Sequence, residues 1–315
     1  MFLENMLISA KQVAILYIIV AVGAIADKTG LFTEKTAKLC TNLLFYIITP
    51  AVIIKSFLEI EYSKETAIGL FQAIGCGLLF HLVAALISLP FFRKGDKNRN
   101  SVFKYACVHG NCGYMALPLA NAVIGAKGVF FCSAIIVSFQ ICSFTYGVFL
   151  MSGDKNEKGS SGSFEWKKII LNPGVLSVFV GLPLFLMKVK MPEVVFSPIS
   201  YIASMNSPLA MLIFGTYMAN TDFRRLFKEK NILLVALLKL ICLPVIMLLI
   251  YKGAFGISGT LLASLVLSSS APPANNTVVF ASKYDKDTSL ASLTVSSVSL
   301  LSIITMPALI AYALT

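Results

Sequence analysis

The sequence Asn111-Cys-Gly-Tyr-Met-Ala-Leu-Pro118 interrupts one apolar stretch of this chain, and Pro272-Pro-Ala-Asn-Asn-Thr277 interrupts a second one. Each segment combines proline with asparagine. In hydrocarbon, a helix break is tolerated only where it is buried in protein or lines a wet cavity, because the freed backbone groups need partners. Matching breaks in two halves of a chain are typical of the substrate site of a membrane transporter.

Composition places the chain among integral membrane proteins. Its 315 residues are 57% apolar and 13% charged, and its mean hydropathy is +0.83. A soluble domain has about 25% charged residues. Apolar runs of about 20 residues, each long enough to cross the bilayer core, recur along the whole chain. These runs predict an all-α protein with ten spans, at 7–26, 37–57, 66–92, 101–124, 127–150, 168–187, 193–219, 231–251, 258–281 and 288–314.

The distribution of cations predicts the orientation. If the spans alternate, 18 of the 26 Lys and Arg residues fall on one side and seven on the other, while Lys239 lies inside span eight. Cytoplasmic loops carry the excess of Lys and Arg, so the 18-cation side is expected to be cytoplasmic. Both termini then lie on the extracytoplasmic side of the cytoplasmic membrane. The net charge of +11 is a topology signal with some attraction to lipid headgroups, and it does not indicate nucleic-acid binding.

A Gly/Ser-rich polar segment divides the chain into two halves. It predicts a cytoplasmic linker at 152–166, between a first repeat at 1–151 and a second repeat at 167–315. Each half contains five predicted spans. Because five is odd, the second half enters the membrane from the opposite side, so the two repeats are predicted to be inverted relative to each other.

The two breaks suggest an anion site near the middle of the membrane. Free helix N-termini favour anions, and the amide groups of Asn111, Asn275 and Asn276 can donate hydrogen bonds to a small carboxylate. Pro118 and Pro273 are predicted to keep the breaks open. The alternative is that the prolines only kink the helices and the asparagines bind helix to helix. Spans two and seven share a weaker similarity, Thr49-Pro50 and Ser207-Pro208, and these four residues are also assigned to the substrate site, with Pro50, Ser207 and Pro208 shaping its scaffold wall.

Energy coupling through a carboxylate is not expected, since all 15 acidic residues lie in loops or near span ends. Sodium would have to be bound by carbonyl, hydroxyl and amide groups. The candidates for a coupling or counter-ion role are Lys239 and His109. Inserting a lysine at membrane depth costs about 2.5–3.5 kcal/mol of free energy, so Lys239 is expected to have a function or a partner. Snorkelling of the lysine and a purely structural histidine are the alternatives.

Enzymatic chemistry has no support in the sequence. There is no His-Glu-x-x-His, Gly-x-Ser-x-Gly or P-loop motif, and the seven cysteines lie inside spans without a Cys-x-x-Cys pair. No catalytic residue, metal site or cofactor is predicted. There are two competing interpretations. One is a channel lined by the broken helices, and the other is a sensor that binds a ligand without transporting it.

Several motifs in order resemble the auxin efflux carrier family. They are the segment Asn111 to Gly125, the segment Pro273 to Asp285, Thr305-Met-Pro307, Asn172-Pro173 and Pro50. The resemblance covers most of the chain, and the short central loop is similar to that of prokaryotic members.

The resemblance implies an architecture related to bile-acid symporters and sodium/proton antiporters. Spans four and nine would cross at their breaks. Spans one, two, six and seven would form a scaffold, and spans three to five and eight to ten would form a transport domain that moves past it in an elevator motion.

The resemblance also implies a substrate class and its site. The substrate would be a small organic anion, with Asn111 at the anion site beside Cys112 and Tyr114 of the same motif. A sodium- or proton-coupled permease for malate- or malonate-type dicarboxylates remains the alternative. A homodimer is suggested by similar transporters.

Overall fold

The computed structural model describes residues 2–152, 170–221, 224 and 229–314. Within these ranges the regular secondary structure is entirely helical, apart from one isolated antiparallel bridge between Gly110 and Pro273. The all-α prediction is therefore confirmed for this part of the chain. The predicted linker at 152–166 lies outside the described residues except for Ser152, as do the first residues of predicted span six.

The helices follow one another with short connections. In chain order they are α1 (Phe2–Lys28), α2 (Glu34–Glu59), α3 (Lys64–Phe91), α4 (Lys97–Val108), α5 (Cys112–Val123), α6 (Ala126–Ser152), α7 (Pro173–Leu186), α8 (Glu193–Ser204), α9 (Asn206–Ala219), α10 (Lys230–Ala254), α11 (Gly259–Ser270), α12 (Asn276–Lys283) and α13 (Thr288–Ala313).

Six of the described helices are long and apolar enough to cross a membrane by themselves, namely α1 from Met6 onward, α2, α3, α6, α10 and α13. The other predicted spans correspond to shorter helices. Spans four, seven and nine are each divided into two helices. The division of span seven at Met205 was not predicted. It has a local cause, because Pro208 has no N–H to donate to the carbonyl of Ser204, where α8 ends.

Three of the prolines that lie inside helices follow π-helical segments and do not break the helix. Pro50, Pro118 and Pro244 each follow a five-residue π-helical segment by two positions. The wider π turn accommodates a proline ring that would otherwise collide with the preceding turn. Pro118 therefore lies within α5, and the break in span four falls seven residues earlier, at Gly110 and Asn111.

Two sets of helices pack closely among themselves. One set consists of α1, α2, α7, α8 and α9, with α1 against α9 and α2 against α7 and α8. In the other set, α3 packs against α6, α6 against α11, and α11 against α13. The sets meet at several points, including a hydrogen bond of 3.1 Å from the Tyr17 hydroxyl to the Ser299 oxygen.

The contact between α1 and α9 depends on two glycines. A Cβ atom added to Gly215 would fall on the backbone oxygen of Val20, and one added to Gly23 would fall on the backbone oxygen of Leu212. Backbone atoms cannot move aside as a side chain can. The two helices approach this closely only because both positions lack a side chain, as is common for helix pairs in membranes.

We expect Gly215→Val to separate α1 from α9 and to lower the free energy of unfolding by about 1–3 kcal/mol or more. Thermal unfolding of the protein in detergent measures this loss. Gly75→Val is the matched control, since a Cβ on this exposed residue of α3 would meet no atom within 4 Å. Equal melting temperatures for the two variants would contradict the proposed packing.

Candidate functional site

The first break separates α4 from α5 at three residues, His109, Gly110 and Asn111. The side-chain oxygen of Asn111 accepts a hydrogen bond of 3.0 Å from the backbone N–H of Tyr114. Asparagine is a preferred N-cap residue, because this bond satisfies one of the backbone donors left free at a helix start. Asn111 thus begins α5 and fixes the direction of its own side chain.

The second break separates α11 from α12 and is rich in proline. Pro272 and Pro273 have no backbone N–H, so the helix cannot continue through them. The two breaks are hydrogen-bonded to each other. The N–H of Asn111 donates to the oxygen of Pro272 at 2.7 Å, and the N–H of Ala274 donates to the oxygen of His109 at 2.9 Å. The two breaks therefore lie against each other and are paired through their backbones.

A third helix start lies beside this crossing. Asn172 precedes α7, and its side-chain oxygen accepts from the N–H groups of Gly174 and Val175 at 3.0 and 3.4 Å. Pro173 occupies the first position of α7, where the missing N–H carries no penalty. Three helices, α5, α7 and α12, therefore begin at the same place, and an asparagine precedes or opens each of them.

One cavity of about 60 Å³ lies among these helix starts, with room for a few water molecules. Gly113 faces it, since a Cβ added there would meet no atom within 4 Å. The lining residues include no charged side chain. They are Phe45, Thr49, Gly110, Asn111, Cys112, Gly113, Tyr114, Ile136, Phe139, Gln140, Asn172, Gly174, Ala274, Asn275 and Asn276.

The electrostatics of this cavity favour an anion. Each helix N-terminus carries a partial positive charge and is worth about 0.3–1 kcal/mol for a nearby anion at an exposed site, and more when partly buried. Asn111 and Asn172 give their oxygens to capping bonds, so each side-chain amide has its two hydrogens left for a ligand. The hydroxyl of Thr49 and the side-chain oxygen of Gln140 are buried and have no partner within the described chain.

The structure brings together six of the residues selected from sequence. Thr49, Asn111, Cys112, Tyr114, Asn275 and Asn276 all line the cavity. The prolines do not line it: Pro50 and Pro118 lie inside helices, and Pro273 lies in the bridge between the breaks.

The pair Ser207 and Pro208 lies elsewhere. Ser207 lines a separate cavity of about 250 Å³ with Lys55, Glu59 and Asn206, and the Lys55 nitrogen lies 3.5 Å from a Glu59 oxygen. Pro208 is exposed on the surface of α9. Neither residue reaches the crossing.

Sequence reasoning did not assign a binding role to Asn172 or to Gln140. A signal for Asn172 was present, because asparagine followed by proline is typical of a helix start. Nothing in the local sequence indicates that Gln140, in the middle of α6, faces the crossing. Its position follows only from the packing of α6 against the second set of helices.

Lys239 and His109 do not line the cavity and lie on the far side of the crossing. The Lys239 nitrogen is 4.4 Å from the centre of the Phe80 ring. The His109 ring is 5.7 Å from that of His81, and its Nδ1 lies 3.2 Å from the Tyr105 oxygen. Among the described residues, no group of three or more His, Cys, Asp or Glu side chains could hold a metal ion.

Comparison with known proteins gives a family match and two related transporters. The family described as "Membrane transport protein" matches residues 8–310. A protein of Rhizobium meliloti named "Putative malonate transporter" is 24% identical over 273 residues, covering 85% of this chain and 84% of its own length. An uncharacterized transporter of Methanocaldococcus jannaschii is 25% identical over 222 residues, covering 66% of this chain and 68% of its own.

The family match spans nearly the entire chain, and it agrees with the motifs around Asn111 and Pro273. It indicates a transporter rather than an enzyme. The chain belongs to the auxin efflux carrier family of membrane transport proteins, as a multi-pass membrane transporter of the prokaryotic type.

Proposed function

We propose that the protein is a secondary carrier that moves a small organic anion across the cytoplasmic membrane. The observation that carries this proposal is the meeting of three helix N-termini, those of α5, α7 and α12, at one cavity without charged side chains. The carboxylate of the substrate is held by the amide hydrogens of Asn111 and Asn172 and by the groups around Asn275 and Asn276. A monovalent carboxylate needs no arginine in such a site.

We further propose that the carrier works by alternating access. The ten spans form two inverted five-helix repeats, at 1–151 and 167–315, joined by the linker at 152–166. Spans one, two, six and seven form the scaffold and the others form the transport domain. The grouping of helix contacts supports this division, because α1, α2, α7, α8 and α9 pack mainly with one another.

The position of the cavity is consistent with such a motion. It lies between residues of α2 and α7 on one side and the crossing on the other. A second space, of about 10 Å³, lies at the crossing between α2 and α9, where the hydroxyls of Thr41 and Tyr217 are 3.3 Å apart. Movement of the crossing along α2 and α9 would carry Asn111 and Asn275, which line both spaces, past this wall.

A coupled permease for dicarboxylates of the malonate type is the second candidate. The name of the Rhizobium meliloti relative favours it, and that relative aligns with 85% of this chain. No cationic side chain lines the cavity, so the second carboxylate would also be bound by amides and helix dipoles. Sodium or protons are the candidate coupling ions, and a homodimer is the proposed assembly.

The first prediction concerns transport itself. In liposomes that contain the purified protein, we expect saturable exchange of radiolabelled malonate or of a small monocarboxylate for the same unlabelled anion inside. Currents recorded in parallel show whether the exchange moves net charge. Unitary conductance would instead indicate a channel, and binding without flux would indicate a sensor. If all three are absent across both anion classes, the carrier proposal is wrong.

The second prediction concerns Asn111. Aspartate is a good N-cap, so Asn111→Asp keeps the cap of α5 but removes the amide hydrogens and adds negative charge. We expect exchange to fall at least about tenfold, since a hydrogen bond to a charged group contributes about 1.5–3 kcal/mol. The melting temperature should change little. Asn42→Asp is the control, because Asn42 is an exposed residue of α2 outside the cavity.

Unchanged exchange in Asn111→Asp at equal amounts of reconstituted protein would remove Asn111 from the anion site. The same pair of measurements applies to Asn172→Asp, which also preserves a cap. A loss at Asn172 alone would place the anion nearer α7 than the crossing.

The third prediction concerns orientation. We propose that both termini lie outside, because 18 of the 26 cations then face the cytoplasm. Alkaline phosphatase, which is active only outside the cytoplasm, should be active when fused after Thr315 and inactive when fused within 152–166. The opposite pattern would contradict the orientation and would exchange the inner and outer sides of the proposed site.

A further inference from the structure

Lys239 is the one strongly basic side chain that the described helices enclose completely. It lies on the π-helical segment Leu238–Cys242 of α10, its exposed fraction is 0%, and its nitrogen has no hydrogen-bond partner within the described chain. Its contact with the Phe80 ring is favourable for a cation but provides no negative charge. A buried ammonium group without a counter-ion is unstable relative to the neutral amine.

A single glycine separates this nitrogen from the cavity. A Cβ atom added to Gly110 would lie 3.0 Å from the Lys239 nitrogen, and Gly110 itself lines the cavity. An anion in the cavity would therefore be the nearest negative charge to Lys239. Because the surroundings exclude most water, attraction between the two charges is screened only weakly.

The groups that face Lys239 do not provide an alternative counter-ion. They are His81 on α3, Cys107 and His109 at the end of α4, and Cys112 on α5. On the other neighbouring helices, α11 has no titratable side chain, and the one titratable residue of α13, Tyr312, lies near Lys252 at the far end of α10. No aspartate or glutamate of the described chain lies in this cluster.

We propose that Lys239 couples anion transport to protons. While the cavity is empty, burial without a counter-ion favours loss of the proton from the ammonium group, and an anion in the cavity favours uptake of a proton from water. When the anion leaves on the other side of the membrane, the ammonium group returns that proton to water there. Binding of the anion and binding of the proton are thus linked in both directions, with up to one proton moved for each anion. The inference rests on the carrier function proposed above.

His81 and His109 have a structural role in this proposal and do not transfer the proton. Each has one ring nitrogen close to a carbonyl of its own helix, His81 at 2.6 Å from the Gly77 oxygen and His109 at 3.2 Å from the Tyr105 oxygen. Their rings pack against aromatic side chains, His81 against Phe80 and His109 on the Tyr105 ring. One nitrogen of each histidine ring already has a carbonyl partner, whereas the Lys239 nitrogen has none among the described residues, so we assign the histidines to the packing around Lys239 and not to proton transfer.

The test uses liposomes that contain the full-length protein and radiolabelled malonate, with the membrane potential held at zero. With a pH one unit lower outside, wild-type protein should accumulate malonate up to about tenfold, because a tenfold proton gradient corresponds to about 1.4 kcal/mol. Lys239→Arg keeps its charge permanently. It should still exchange malonate without a gradient but should lose the accumulation. Lys252→Arg, on the same helix, is the control and should behave as wild type.

Two results would overturn the coupling role. One is wild-type exchange without accumulation, which leaves the carrier function intact. The other is full accumulation by Lys239→Arg, and a simultaneous loss of accumulation in His81→Gln or His109→Gln would then assign the coupling to a histidine. Absence of wild-type malonate exchange would instead overturn the malonate-carrier function on which the inference rests.

A measurement on the wild-type protein avoids any effect of substitution on folding. Malonate is added to the detergent-solubilised protein in weakly buffered solution that contains a pH indicator. We expect protons to be taken up as malonate binds, up to one for each anion, with the bound malonate measured by equilibrium binding of the labelled anion. Binding without proton uptake would exclude the proposed role of Lys239.

Discussion

Two backbone hydrogen bonds between the broken helices set the arrangement on which the site depends. They run from the Asn111 N–H to the Pro272 oxygen and from the Ala274 N–H to the His109 oxygen. In hydrocarbon, groups freed by a helix break must find partners within the protein, and here each break satisfies the other. The same bonds hold α5 and α12 so that both begin at the crossing. The location of the positive helix ends is therefore a consequence of backbone pairing.

This arrangement leaves the proposed binding site without charged side chains. Three helix starts and the asparagines that cap or precede them surround a cavity in which the formal charge is zero. The cost of placing cations at membrane depth is thereby avoided, since the dipoles belong to helices that are already hydrogen-bonded. A neutral site that attracts anions can also release them, which transport requires. Lys239 is the exception, and its position next to Gly110 is the basis of the proposed proton coupling.

Small residues and prolines have different structural roles around this site. Prolines that follow π-helical segments are absorbed within continuous helices, as at Pro50 and Pro244, whereas the adjacent Pro272 and Pro273 end a helix. Glycines permit close approach of backbones at Gly23 and Gly215 and of the Lys239 nitrogen at Gly110. Each feature brings groups together that a larger side chain or a regular helix would keep apart.

The all-helical membrane class and the two breaks could be predicted from sequence, because apolar run length and the chemistry of proline act locally. Asn111, Asn275 and Asn276 could be selected for the same reason, since they lie at the breaks. The contributions of Asn172 and Gln140 could not be predicted from sequence. Neither could the position of Lys239 next to Gly110, which lines the cavity. They come from helices distant in the chain, and only the packing of those helices decides which side chains face the same space. Local sequence thus determined where the helices stop, and tertiary structure decided what meets there.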